Sequence, residues 1–195
     1  MDWKRLSEEL RADKNRFYLV LSGDKVFKSD DYFSMSVKGQ IVMLSGYDVF
    51  KAFVLKLLAN RISAGNEIRF VSGDNNGTDA MTERLASEMQ LDVYKYIADW
   101  DKNGSKAGFV RNEEMFFKVG DKPNKGAILF WNGTDVYTRN LIFQSYIFGT
   151  PCRVYNYVTK RWLSADEIED IQFAERQNQI NYKRKKNESE DKLNG

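Results

Sequence analysis

Short apolar runs that each close on a glycine turn, separated by stretches of helical periodicity, constrain this chain more than any other feature. The run 41–44 ends at Ser45-Gly46, the run 68–71 at Ser72-Gly73, and the run 127–131 at Asn132-Gly133. Two further runs, 91–97 and 152–157, read as strands of the same kind. Between them lie helical patterns: Val49, Phe53, Leu55, Leu57 and Leu58 behind an Asp48 cap, then 78–89, 106–119 and 137–148. Strands alternating with helices of this length imply crossover connections and a parallel sheet. Runs without polar alternation fit strands covered on both faces. The expected fold is α/β: a Rossmann-like open, mostly parallel sheet with helices on both faces. Such a sheet binds ligands outside the carboxyl ends of its strands, where these glycine turns fall.

The rest of the chain reads as additions to a domain spanning 39–160. Residues 1–38 form an N-terminal extension. It holds an amphipathic helix with Trp3, Leu6 and Leu10 inward, a β-forming run at 17–21 and a turn at Ser22-Gly23-Asp24. Residues 26–37 read as irregular or short-strand material. Residues 161–195 form a C-terminal helix, opened by a Ser164/Glu167 capping box, and a charged tail whose last dozen residues are expected to be disordered.

Composition removes several functions. The 195 residues hold 30 basic and 28 acidic side chains, so no whole-protein basic field draws nucleic acid. The absence of histidine excludes Ser-His-Asp and Cys-His catalysis and any His-ligated metal. The single cysteine, Cys152, allows no intramolecular disulfide and reads as a packing residue in a reducing, cytoplasmic setting. The charged N-terminus is no signal peptide, and no apolar stretch is long enough for a bilayer.

Three turns carry the chemistry. The first joins Ser72, Gly73, Asn76, Gly77, Thr78 and Asp79, with a helix opening at Thr78. Glycines admit close backbone approach, and free N–H groups at a helix start favour phosphate or carboxylate. The same residues also suit an ordinary strand-to-helix turn, and the pattern is neither GxGxxG nor Walker A. The second turn presents Trp100 for stacking, Arg111 for bidentate phosphate contact and Asn112 for a ribose or base edge. The alternative makes Trp100 core and pairs Arg111 with Glu114 or Glu83. The third brings Asn132, Gly133, Thr134 and Thr138 to the same edge, and Ser45-Gly46 adds a further turn.

In this order, Ser72-Gly73, Gly77, Asp79, Ala98-Asp99-Trp100, Gly104, Ala107-Gly108, Arg111-Asn112, Met115, Phe130-Trp131 and Gly133 resemble the YspA-like, YpsA-related branch of the SLOG superfamily. That superfamily also contains the LOG phosphoribohydrolases and DprA. The resemblance covers about residues 39–158 and implies a nucleotide or nucleotide-derived ligand. LOG-type hydrolases pair an arginine, matched by Arg111 with Met115, with a glutamate two residues after a threonine. Here that position holds Asn140, which cannot act as an acid or base. Tyr137 replaces a glycine before Thr138.

The leading expectation is a nucleotide-binding or sensing protein. An alternative is N-glycosidic hydrolysis of a nucleoside monophosphate, with Arg111, Glu83 or Asp79 as catalytic candidates. Another is single-stranded nucleic-acid binding through Lys183 to Lys186, as in DprA, although a basic run followed by acids suits a solvated tail better. No cofactor is required, but Mg²⁺ would accompany a phosphate-bearing ligand. The resemblance suggests a homodimer, for which Ile142, Phe143, Tyr146 and Phe148 are either interface or core.

Overall fold

The computed structural model describes residues 14–193, so the expected helix around Trp3, Leu6 and Leu10 lies outside the described residues. Among the described residues there are eight strands: β1 (Arg16–Gly23), β2 (Tyr32–Val37), β3 (Gln40–Ser45), β4 (Glu67–Ser72), β5 (Val93–Lys95), β6 (Lys125–Trp131), β7 (Cys152–Asn156) and β8 (Arg161–Trp162). The α-helices are α1 (Gly46–Ser63), α2 (Thr78–Met89), α3 (Trp100–Asn103), α4 (Ala107–Gly120), α5 (Val136–Ile147) and α6 (Ala165–Leu193).

Six strands form one sheet in the order β5-β4-β1-β6-β7-β8. All neighbours are parallel except β7 and β8. From the central β1 the chain builds outward through β4 and β5, then crosses back to build β6 and β7. This is the Rossmann-like, doubly wound arrangement, with its switch point between β1 and β6.

Alternation along each strand divides the core. Phe17, Leu19 and Leu21 of β1, with Ile68 and Phe70 of β4, face α1 and α2. Their neighbours Tyr18, Val20 and Val71 face the opposite layer, with Met115 and Phe116 of α4, Leu141 and Ile142 of α5, and Ile168 and Ile171 of α6. Each strand thus supplies apolar side chains to both faces.

The central strand, β1, comes from residues 1–38, which the sequence reading set outside the domain. The cause is the antiparallel hairpin of β2 and β3 between β1 and α1, which breaks the expected strand–helix alternation. The run 41–44 therefore is not the first sheet strand. It is β3, and its Ile41 and Met43 are 81% and 61% exposed. The opposite hairpin face, with Phe33, Met35 and Leu44, packs on the core.

Helix ends follow local chemistry. Ser45, and not Asp48, is the N-cap of α1; Asp48 is the reciprocal capping-box partner. The box between Ser164 and Glu167 opens α6 as expected. That helix continues to Leu193, where the sequence reading expects a disordered tail. Residues 165–193 contain no proline or glycine and many strong helix formers. Cys152 is half-buried, and burial pushes its thiol pKa up. Among the described residues, no helix is long and apolar enough to cross a membrane.

A chain begun at residue 39 lacks the strand that pairs with both β4 and β6, and it should show no cooperative thermal transition by circular dichroism. In the intact chain, Leu21→Ala should lower stability by about 2–5 kcal/mol in urea titration, because the side chain is fully buried.

Candidate functional site

The switch-point crevice is closed by the chain itself. Gly23 lies so near the Phe130 backbone that a Cβ there would overlap the Phe130 carbonyl. The Asp24 N–H donates to that carbonyl at 2.9 Å. The buried Asp24 carboxylate accepts from the Tyr157 hydroxyl at 2.8 Å and from the Val26 N–H at 3.0 Å. Burial, followed by the Asp24 hydrogen bond, pushes the Tyr157 hydroxyl pKa far above its ordinary value.

Beside this crevice, the residues chosen from sequence do converge, but on one another. Asp79 in the first turn of α2 is fully buried. Its Oδ1 accepts from Ser22 at 2.6 Å and Ser72 at 3.2 Å. Its Oδ2 has no hydrogen-bond partner and lies 3.8 Å from an Arg111 guanidinium nitrogen. Burial pushes the Asp79 carboxyl pKa up, opposed by the Ser22 hydroxyl and the Arg111 charge. Arg111 is itself buried; it donates to the Gly73 carbonyl at 2.7 Å and to Asn112 Oδ1 at 3.1 Å. Asn112 donates to the Tyr137 carbonyl at 3.0 Å and to Asn140 at 3.1 Å. The Gly73 position now has a physical reason. A Cβ there would stand 2.8 Å from Asp79 Oδ2 and would overlap the Arg111 guanidinium.

The third turn also spends its polar groups internally. Asn132 Oδ1 accepts from the backbone N–H groups of Thr134 and Asp135, both at 2.7 Å. Asp135 is the N-cap of α5 and accepts from the backbone and hydroxyl of Thr138. A Cβ at Gly133 would stand 3.1 Å from the Asn156 side-chain nitrogen. Tyr137 lies on the Gly108 backbone and packs against Phe109 at 5.0 Å between ring centroids. Trp100 is 54% exposed, which settles against the core alternative.

Open space appears on the other side of Gly77. The β1–β2 loop and the first half of α2 enclose a cleft of about 350 Å³, lined by Lys25, Lys28, Asp30, Asn76, Gly77 and Arg84, among others. Gly77 has φ +69°, and a Cβ there would lie 2.5 Å from the carbonyl oxygens of Asp24 and Lys25. Thr78 anchors the same loop, donating its N–H and hydroxyl to the Asp24 carbonyl at 3.3 and 3.2 Å. Ser45 and Gly46 support it from behind: Ser45 caps α1, while Gly46 donates to the Asp31 carbonyl at 2.6 Å. Arg84 stacks on the Tyr47 ring at 3.7 Å and bonds to Glu88 at 3.1 Å. Lys51, at 2.6 Å, and Arg84 hold the Glu88 carboxyl at about 2.

Sequence reasoning missed Lys25, Lys28 and Arg84. The first two follow the run 17–21, and become site candidates only once that run is recognised as the central strand. Glu83 is engaged elsewhere, with Lys95 at 2.7 Å. A larger cleft of about 780 Å³ runs along the outer face of α4, by Tyr96, Glu114, Phe117 and Phe148, away from the glycine turns. Among the described residues, no three acidic or thiol side chains gather as metal ligands.

The chain matches no protein-family model, no curated protein and no solved structure.

Arg111→Ala should destabilise the protein by about 3–5 kcal/mol in denaturant titration, because it leaves the Asp79 carboxylate buried beside no cation. A residue serving only a ligand would leave stability unchanged. For Glu88, the depressed pKa means its contribution is complete above the ordinary glutamate value of 4.5 and is lost as pH falls toward 2. Side-chain carboxyl NMR should follow that low titration, and it should move up toward the ordinary value in Lys51→Ala, the substitution that removes the largest cause.

Proposed function

We propose that this chain binds a phosphate-bearing, nucleotide-type small molecule in the cleft between the β1–β2 loop and α2, as a sensing or carrier module that does not turn its ligand over. The observation that carries this reading is the placement of Lys25 and Lys28, beside a single lining carboxylate, Asp30, at the start of a twelve-residue helix; Arg84, stacked on Tyr47 and paired with Glu88, lines the cleft a turn further on. Helix N-termini favour anions through their free N–H groups and dipole. The cleft volume lies within the range of small-molecule sites. The resemblance to SLOG proteins supports a nucleotide-derived ligand, and a reducing cytoplasm is where such ligands abound. Mg²⁺ would enter with the phosphates, with no dedicated protein site.

Two features argue against turnover. Arg111, the position matching the LOG arginine, is buried and bonded to Gly73 and Asn112. Asn140 stands in the glutamate's place and accepts a hydrogen bond from Asn112.

The test is a thermal-shift and calorimetric screen of nucleoside monophosphates, ADP-ribose, NAD and pyrophosphate, with mass spectrometry of each mixture. A ligand of the native state raises the melting temperature by mass action and is recovered intact. Lys25→Glu with Lys28→Glu should weaken binding roughly 10–100-fold, on the scale of one or two charge-assisted contacts, without lowering stability. A cleaved product, or binding indifferent to both substitutions, would refute the proposal.

A further inference from the structure

The cleft along α4, about 780 Å³, takes no part in the site at Gly77. Its size suits a small molecule. Val110 and Phe117 line it and, seven residues apart, share one face of the helix. Phe117 is 74% exposed and meets Phe148 edge-on at 6.1 Å between ring centroids. Phe148, half-buried after the end of α5, is thus a wall of this cleft, whereas Ile142 and Phe143 are buried within the protomer and offer no dimer surface. Tyr96 supplies a further ring.

The charged groups of the cleft divide into committed and uncommitted ones. Its two lysines are turned onto ring faces of their own chain: Lys118 lies 5.4 Å from the Tyr94 centroid and Lys122 lies 5.5 Å from that of Tyr18. Its three carboxylates, Glu113, Glu114 and Asp121, are exposed. Among the described residues, none of the three side chains makes a hydrogen bond or an ion pair, although Lys118 follows Glu114 by one turn. Burial, and then the Glu114 charge, push the Tyr96 phenol pKa up, which sets that carboxylate beside the aromatic wall. Asp121 is the C-cap of α4, where the helix dipole disfavours an anion. Seven or eight residues separate it from the two glutamates, roughly 10–12 Å at the helical rise. The cleft therefore has an anionic group toward each end and an exposed aromatic surface between them.

We infer that this cleft binds a linear aliphatic dication, a polyamine-type molecule whose methylene chain crosses the Phe117 ring while one ammonium faces Glu113 and Glu114 and the other faces Asp121. Each part of that ligand answers a feature of the cleft. Ammonium groups gain charge-assisted hydrogen bonds from the carboxylates. The methylenes remove Phe117 and Val110 from water, and a cation above the ring gains from its quadrupole. A hydrated metal ion would gain nothing from the apolar middle. A monoamine would leave one end uncompensated, and a phosphate-bearing ligand would be repelled, so this site and the cationic cleft at Gly77 take opposite ligands.

Calorimetric titration of the full chain at physiological salt tests the assignment, with spermidine and 1,8-diaminooctane as probes and octylamine, 1,3-diaminopropane and Mg²⁺ as comparators. The two long amines should bind at least about tenfold more tightly than the comparators. Glu113→Gln with Asp121→Asn should weaken them roughly 10–100-fold, the scale of one or two charge-assisted contacts. Phe117→Ala should weaken them roughly 2–5-fold, the scale of a cation over an exposed ring. These side chains are exposed, so the melting temperature of the free protein should not change. Absence of binding below about 1 mM, equal affinity for Mg²⁺ or 1,3-diaminopropane, or binding that survives the paired neutral substitutions would each overturn the assignment. So would a dimer in light scattering that Phe117→Ala reduces to one chain, since the cleft then belongs to a second copy.

Discussion

A carboxylate shut away from water sits where most of the structure meets. Asp79 begins α2, and its oxygens lie against Ser22 of β1, Ser72 of β4 and Arg111 of α4. Through Asn112 and Asn140 the same network reaches α5. Burying a charge is costly unless it is paired and hydrogen-bonded. The helices on both faces must therefore hold their positions relative to the sheet edge, or the carboxylate loses its compensation. Glycine at 73 follows from that constraint, because only a residue without a side chain lets the guanidinium come so close.

The parallel sheet and most of its helices were legible in the pattern of apolar runs. Thr78–Met89 and Ala107–Gly120 lie where periodicity puts them. The middle of the sheet was not. Two apolar runs, 17–21 and 41–44, each precede a glycine turn, and a linear reading cannot tell which pairs with β4 and β6. The difference lies in burial. Leu19 and Leu21 are enclosed on both sides of a sheet, whereas Ile41 and Met43 point into water from a ribbon covered on one face. At the sheet edge, residue type was informative and destination was not. Arg111, Asn112 and Thr138 have the donors a ligand needs, and a buried edge of crowded helix starts needs the same donors. Lys25 and Lys28 escaped notice because they carry no motif.

This distribution separates structural polarity from available polarity. The buried network and the N-cap of α5 use their groups internally, while Lys25 and Lys28 near Gly77 stand at the border of open space. Glycine serves both roles. Gly73 admits a side chain from its own protein, and Gly77 admits the carbonyls of the loop that forms one wall of the cleft.

The hairpin of β2 and β3 has a bearing on how such a chain can diversify. It pairs with itself and contributes no ladder bonds to the six-stranded sheet. Insertions or replacements in its outer strand face would leave the central pairing register intact, because loop closure grows only slowly with length. The segment leading into it forms a wall of the cleft. The sheet can then stay constant while the outer face of this excursion is rewritten, because its inner face alone, with Phe33, Met35 and Leu44, is tied to the core.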